Sequence, residues 1–207
     1  MSRIDMKVVE EIIEVAKRMD RLGMMNTFEG NISVKKDGLL YVTPTSHSKA
    51  TLTPEMIAVL NEKGEQIAGE CKPTSEYPMH SHVYLMRDDI GAVIHCHSPY
   101  LTAYAICNKP LYTDAYPEAI MLLKDIPVAP YGKPGTDEIY AGVKELIQDR
   151  NVVLLANHGV ICVGPNLQRA AARMESAEAI AKIVTIATQV GTPCPLPPVE
   201  IERLLKK

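Results

Sequence analysis

The run "AVIHCHSPY" closes an apolar segment with two imidazoles, His95 and His97, separated only by Cys96. In a strand, residues two apart share a face, so both rings would stand side by side with Cys96 turned away. That spacing suits a metal ion. It equally suits polar residues at a strand end, or one core histidine satisfied by a backbone carbonyl. A third imidazole, His158, stands in "NHG" directly after the apolar run "NVVLLA", where Gly159 lets the backbone turn a side chain toward a sheet end. Three histidines with a coordination position left open describe a catalytic zinc-type site, not a closed structural one. "MHSH" offers a rival pair, but on a helix at ~100° per residue His80 and His82 diverge by about 200° and cannot share one ion. They are expected to be structural or supporting. His47, in "TSHSK", suits the surface or a substrate-facing position, and the surface is expected.

Other short stretches suit an anion. "GNIS", "TPTSHS" and "KPTSE" combine small, hydroxyl and amide residues, and the last opens a helix whose free N–H groups favour negative charge. Each alone is also an ordinary turn or helix cap. Glu76, directly after Ser75, is placed either to act as a base or simply to complement the helix dipole.

These residues need elements to hold them. Apolar positions at helical spacing predict a helix from Asp5 to Leu22, with Ser2 to Asp5 as a capping box and Gly23 as the stop. "ISV", "LLYVTP" and "MIAVLNEKGEQIAGE" predict short strands, the last as a hairpin. A helix restarts at "TSEYPMHSHVYLMRD" with Ser75 as cap, followed by a buried strand "GAVIHCH" and a helix "SPYLTAYAI" with Ser98 as cap and Pro99 at its first position. "IPVAPY" reads as a short strand and "GTDEIYAGVKELIQD" as a helix. "NVVLLA" and "VICVG" read as strands, and a long alanine-rich helix is capped by Asn166 and ends near Gly191. The hairpins are antiparallel in character and argue against a simple alternating parallel sheet. "TPCPLPPVEIERLLKK" is a tail or a subunit contact.

Composition narrows the class of partner. The 207 residues, 46% hydrophobic, are enough for one good core. With 22 basic against 25 acidic residues and no charge block, neither nucleic acid nor a membrane surface is expected. No apolar run approaches the ~20 residues of a membrane span, and charged residues near the start leave no leader-like core. Five cysteines, without a C-x-x-C spacing, indicate neither a disulfide framework nor a cysteine zinc cluster and fit a reducing cytoplasm.

With "EGNIS", "TPTS", "KPTSE", "HCH" and "NHG" in this order, the chain resembles the class II aldolase/adducin family, in the branch of the L-fuculose-1-phosphate aldolases, over roughly Asp5 to Val190. The resemblance implies an α/β fold with a central, mainly antiparallel sheet flanked by helices. Residues 1–190 would form the single domain, with 191–207 as a proline-rich tail. It also implies a homotetramer with active sites at subunit interfaces and a divalent metal, most commonly Zn2+, with Mn2+ or Co2+ as alternatives. Carried across, His95, His97 and His158 are the metal ligands. Glu76 is the acid/base and, with no substrate bound, a fourth ligand. Gly30, Asn31, Thr45, Ser46, Thr74 and Ser75 match the phosphate-binding positions. The implied substrate is a phosphorylated ketose, cleaved between C3 and C4 to dihydroxyacetone phosphate and an aldehyde, with Lewis-acid help at its oxygens.

The chain departs from that pattern in three places. Ser46 stands where the pattern has glycine, which would reshape the phosphate loop. The tyrosine that a neighbouring subunit contributes must come from "LYTDAYPEAIMLL", where Tyr112, Tyr116 and Glu118 compete and Tyr116 is favoured. No tyrosine follows Tyr140, so the aldehyde half is expected to differ from lactaldehyde. Relatives with other activities remain as alternatives. Epimerases resemble Ser-Asp where this chain has Ser75-Glu76, dehydratases are kept open by Glu118, decarboxylases share the histidines, and a noncatalytic adducin-like module would not need them.

Overall fold

The first helix starts where the spacing predicts, but Asp5 is its N-cap and not the inner residue of a capping box, its carboxylate accepting from Lys7 N at 3.0 Å. The computed structural model describes residues 4–206, so Ser2 of the expected capping box lies outside the described residues. Helix α1 (Met6–Arg21) leads into two hairpins, β1 (Asn31–Lys36) with β2 (Leu39–Val42) and β3 (Ala58–Leu60) with β4 (Gln66–Ala68). Then come α2 (Tyr77–Met86), β5 (Ala92–Cys96), α3 (Pro99–Ile106), β6 (Leu111–Tyr112) and α4 (Pro117–Leu122). The chain continues through β7 (Asp125–Ile126), β8 (Val128–Ala129), α5 (Asp137–Val143), β9 (Val152–Leu155), β10 (Gly159–Gly164), α6 (Leu167–Val190) and α7 (Pro198–Leu205).

One sheet runs β4-β3-β2-β1-β5-β10-β9-β8, with β8 and β9 parallel and the other pairs antiparallel. This is the expected fold class. Alternation divides the two faces. Ile32, Val34, Ile94, Cys96, Val160 and Cys162 join the core made with α1, α3 and α6. Val93, Val153, Ile161 and Val163 join a smaller core with Met79 and Val83 of α2 and Ile139 and Val143 of α5. Asn31, Ser33 and His95 have the parity of this second face, so these buried polar side chains of β1 and β5 lie on the side of α2.

Four local readings differ from expectation. Ser75 does not cap α2, which begins at Tyr77 with Glu76 in the N-cap position. Ser98 has the extended backbone of an N-cap, but its hydroxyl makes no cap bond. The carboxylate of Glu178, on α6, accepts instead from Tyr100 N at 2.9 Å and Leu101 N at 3.0 Å. "IPVAPY" divides at Pro127, which has no N–H to donate: β7 pairs with β6, and β8 pairs with β9. The helix after Thr136 stops at Val143 and resumes as one tight turn at Leu146–Gln148 that buries Ile147. At the C-terminal end, Leu196 N bonds Asp114 O at 2.9 Å and α7 packs on α4. No helix among the described residues is long and apolar enough to cross a membrane.

Candidate active site

Antiparallel register sets Asn31, His95 and Ile161 in one row across β1, β5 and β10. His95 is fully buried, and its Nδ1 donates to Val160 O at 3.0 Å, which leaves the Nε2 lone pair free to face the cleft. His97 lies just past the end of β5, its N–H held by Met24 O at 3.2 Å. His158 sits in the turn between β9 and β10, where Asn157 takes the left-handed conformation at φ 57°. The glycine of "NHG" therefore does not supply the turn. Gly159 supplies room, because a Cβ there would lie 2.7 Å from both Cys96 O and His97 Cδ2.

The three rings converge. His95 Nε2 and His97 Nε2 are 3.0 Å apart, and one ligand atom from each of the three histidines falls within 4.8 Å of the others. Glu76 joins them from the start of α2, with Oε2 3.3 Å from His95 Nε2 and Oε1 3.6 Å from His158 Nε2. Asn31 donates to Glu76 Oε2 at 2.7 Å. Burial pushes the Glu76 carboxyl up, but His95, the Asn31 hydrogen bond, His158 and His80 outweigh it and hold it at about 2. Burial pushes His95 down to about 3 against the pull of Glu76, and pushes His158 down as well. At neutral pH the site thus holds a carboxylate beside the uncharged imidazoles of His95 and His158, the protonation states a cation requires.

Next to these groups lies a cleft of about 170 Å³ lined by Gly30, Asn31, Thr45, Ser46, Thr74, Ser75, Glu76, His97 and His158. Its loops are tied by backbone bonds: Thr74 N to Thr43 O at 3.0 Å and Thr45 N to Lys72 O at 3.1 Å. Ser46 adopts φ 55°, so the loop keeps a glycine-like conformation without glycine. His47 is half-buried, contrary to the surface expectation, with Nδ1 2.6 Å from Thr45 O and Nε2 3.6 Å from Cys71 Sγ.

Sequence reasoning missed Lys49, which also lines the cleft. It is 2% exposed, its Nζ donates to His47 O at 3.3 Å, and no carboxylate among the described residues lies within salt-bridge distance. Burial lowers its pKa. A buried ammonium supported only by the more distant charges of Asp20 and Glu29, with no close ion pair, is costly, and an anion in the cleft would relieve that cost. The lysine in "TSHSK" was the only available signal. His80 and His82 diverge as expected: His80 is buried, while His82 packs on Tyr140 near the surface. Tyr116 takes the N-cap position of α4 against the main core and does not line this cleft. A larger groove of about 360 Å³ between β2, β3 and α2 is mostly apolar and holds none of the histidines.

Residues 10–185 match the family described as Class II Aldolase and Adducin N-terminal domain. The chain belongs to the class II aldolase and adducin family. It is 36% identical over 200 residues to a 5-deoxy-D-ribulose 1-phosphate aldolase of Bacillus thuringiensis serovar kurstaki, covering 96% of this chain and 93% of that one. A 3-oxo-tetronate 4-phosphate decarboxylase of Escherichia coli is 31% identical over 191 residues, 89% of each chain. A solved L-fuculose 1-phosphate aldolase superposes with a TM-score of 0.88 at 32% identity, over 97% of this chain and 95% of that one. Within the class II aldolase and adducin family, this chain is an enzyme of the metal-dependent aldolase type.

The residues present fit a divalent ion. Tetrahedral zinc with bonds of ~2.0–2.1 Å sets its nitrogens ~3.3 Å apart, near the spacing of His95 and His97. The buried Nδ1 of His158 has no hydrogen-bond partner among the described residues, so no protein bond competes for the orientation of that ring. Replacing Gly159 by alanine should force His97 and the Cys96 carbonyl away. We expect metal affinity to fall by more than about tenfold in competition with a chromophoric chelator, with far-UV circular dichroism unchanged. Undiminished affinity would contradict the close approach.

Proposed function

We propose that the protein is a zinc-dependent aldolase that cleaves a small, L-fuculose-1-phosphate-like ketose 1-phosphate to dihydroxyacetone phosphate and an aldehyde. The observation that carries this is the ionised Glu76 carboxylate within 3.3 and 3.6 Å of two of three converging imidazoles, beside a cleft containing a buried cation. Held by His95, His97 and His158, the metal would supply Lewis-acid charge to the substrate's carbonyl and hydroxyl oxygens. Cleavage breaks the C3–C4 bond: the C4 hydroxyl loses its proton, the aldehyde departs, and the electron pair remains on the dihydroxyacetone phosphate half as an enediolate. Glu76 carries the proton to C3, and in the reverse direction its carboxylate accepts it. Gly30, Thr45, Ser46, Thr74 and Ser75 line the place for the phosphate, and Lys49 supplies the charge that balances it. Tyr116 would reach the aldehyde oxygen of a neighbouring subunit in a cytoplasmic homotetramer. Residues 1–190 would form the catalytic domain, with 191–207 as an appended segment. The relative acting on 5-deoxy-D-ribulose 1-phosphate supports a small aldehyde product, and the absence of a late tyrosine agrees with it.

The deciding experiment incubates the metal-loaded protein with dihydroxyacetone phosphate and either acetaldehyde or lactaldehyde, with and without chelator, and follows ketose 1-phosphate. Chelator-sensitive condensation is expected. Glu76→Gln should lose most turnover, at least about a hundredfold, while still binding phosphate. Turnover of 3-oxo-tetronate 4-phosphate in place of condensation would overturn the reading.

Two further outcomes follow from the cleft and from the assembly. Lys49→Met should raise KM for the ketose phosphate about 10- to 100-fold, the worth of one charge-assisted hydrogen bond, and weaken inhibition by inorganic phosphate in parallel. Unchanged phosphate inhibition would remove Lys49 from the phosphate site. Mixing inactive Glu76→Gln subunits with inactive Tyr116→Phe subunits should restore activity in hybrids, and a fully active monomer would refute the shared site.

A further inference from the structure

Behind Glu76 a line of polar groups runs from the cleft into the interior. Asn31 Oδ1 lies 2.7 Å from His80 Nε2, and His80 Nδ1 lies 2.7 Å from Ser33 Oγ. Ser33 Oγ is 2.9 Å from Tyr84 Oη, whose single hydrogen is shared between Ser33 Oγ and Ser33 O, the latter at 3.0 Å. All four residues are buried, with His80 and Ser33 at 0% exposure. They interrupt a face that is otherwise built of Met79, Val83, Val93, Ile161 and Val163. Apolar side chains would fill that space without the desolvation cost of four polar groups, so the line calls for a use beyond packing.

Its direction is dictated from the cleft end. Asn31 presents its Nδ2–H to Glu76 Oε2 at 2.7 Å, and an amide nitrogen can only donate. Asn31 Oδ1 then faces His80, whose Nε2 must carry the ring hydrogen, and His80 Nδ1 must accept from the Ser33 hydroxyl. An amide is nearly symmetric in shape, and a flipped Asn31 would set its oxygen against the carboxylate. The His80 N–H is what makes the flipped orientation unfavourable. The amide is thereby committed to Glu76 and His80, leaving one Asn31 N–H for a substrate.

We propose that His80 is a positioning residue for the reaction: acting through Asn31, it keeps a hydrogen-bond donor on Glu76 Oε2 and so fixes the carboxylate against His95 and His158. This rests on Glu76 being the proton carrier. A histidine that merely fills the core would contribute stability alone.

The test follows exchange of the carbon-bound hydrogens of dihydroxyacetone phosphate with D2O by 1H NMR, together with bound metal per chain and thermal unfolding. His80→Leu removes both hydrogen bonds, whereas His80→Gln offers a donor and an acceptor in their place. The expected result is wild-type metal content and a KM for dihydroxyacetone phosphate within about threefold. Exchange should fall about 30- to 100-fold in His80→Leu, the scale of a displaced catalytic group, and return to within about fivefold in His80→Gln. Ser33→Ala, a smaller change, should slow exchange about five- to tenfold if His80→Leu fails to fold. In the wild-type protein, 15N NMR should find the His80 ring uncharged with its hydrogen on Nε2. A hydrogen on Nδ1, full-rate exchange in folded His80→Leu, or an unaffected Ser33→Ala where His80→Leu does not fold would overturn the proposal. Wild-type protein that exchanges nothing would overturn the reading of Glu76 and this role with it, whereas wild-type exchange undiminished in His80→Leu would overturn the role of His80 alone.

Discussion

An ionised carboxylate inside a protein must be held by its neighbours or it will be protonated, and Glu76 sets that demand here. Its side chain is 11% exposed, so water screens it little. Three arrangements meet the demand. The last turn before α2 brings Glu76 to the edge of the sheet, the ends of β5 and β9 bring imidazoles to the same edge, and the first residue of β1 brings an amide. Each contributing element has one face in an apolar core, so the polar contacts cost no separate scaffold. A division between faces makes this possible: α1, α3 and α6 receive the largely hydrophobic side of the strands, and α2 receives the side carrying Asn31, Ser33 and His95.

Much of this was legible in the sequence because it depends on local period. Two-residue alternation put His95 on one side of β5 and Cys96 on the other, and helical spacing separated His80 from His82. The helix end capped by its own side chain at Asn166 was recognisable for the same reason. What escaped was non-local or ambiguous. Glu178 caps α3 from 78 residues away, and no window of sequence pairs it with Tyr100. The bonds from Asn31 to Glu76 and to His80 span 45 and 49 residues, so alternation gave their faces and not their partners. Lys49 resembled an ordinary surface lysine because most lysines are exposed. Gly159 reads as a turn residue in sequence because a glycine needed for close approach looks the same there as one needed for positive φ.

The converging histidines at the end of β5 and the helix that follows them are mechanically joined. His97 and Pro99 are separated by Ser98 alone, and the first free N–H groups of α3 are held by a carboxylate on α6. Both ends of the segment 95–101 are thus anchored, one by sheet pairing and the other by a side chain from the longest helix. A segment pinned at both ends has little slack, which suits residues that must keep a fixed spacing.

The strands also give the sheet two unlike ends. The start of β1, the ends of β2, β5 and β9 and the start of β10 lie together, where the cleft is. The turn Asp37–Gly38, the hairpin turn around Asn61–Glu65 and the connection after Met86 lie at the opposite end. Chain length is therefore a different variable at each end. A residue inserted within β1, β5 or β10 would invert the facing of every later side chain in that strand and scatter the site. The same insertion in a far turn changes only the length of a solvent loop, for which the entropic penalty grows slowly. Length variation among descendants of this chain can accumulate at one pole of the sheet while the other stays the same size.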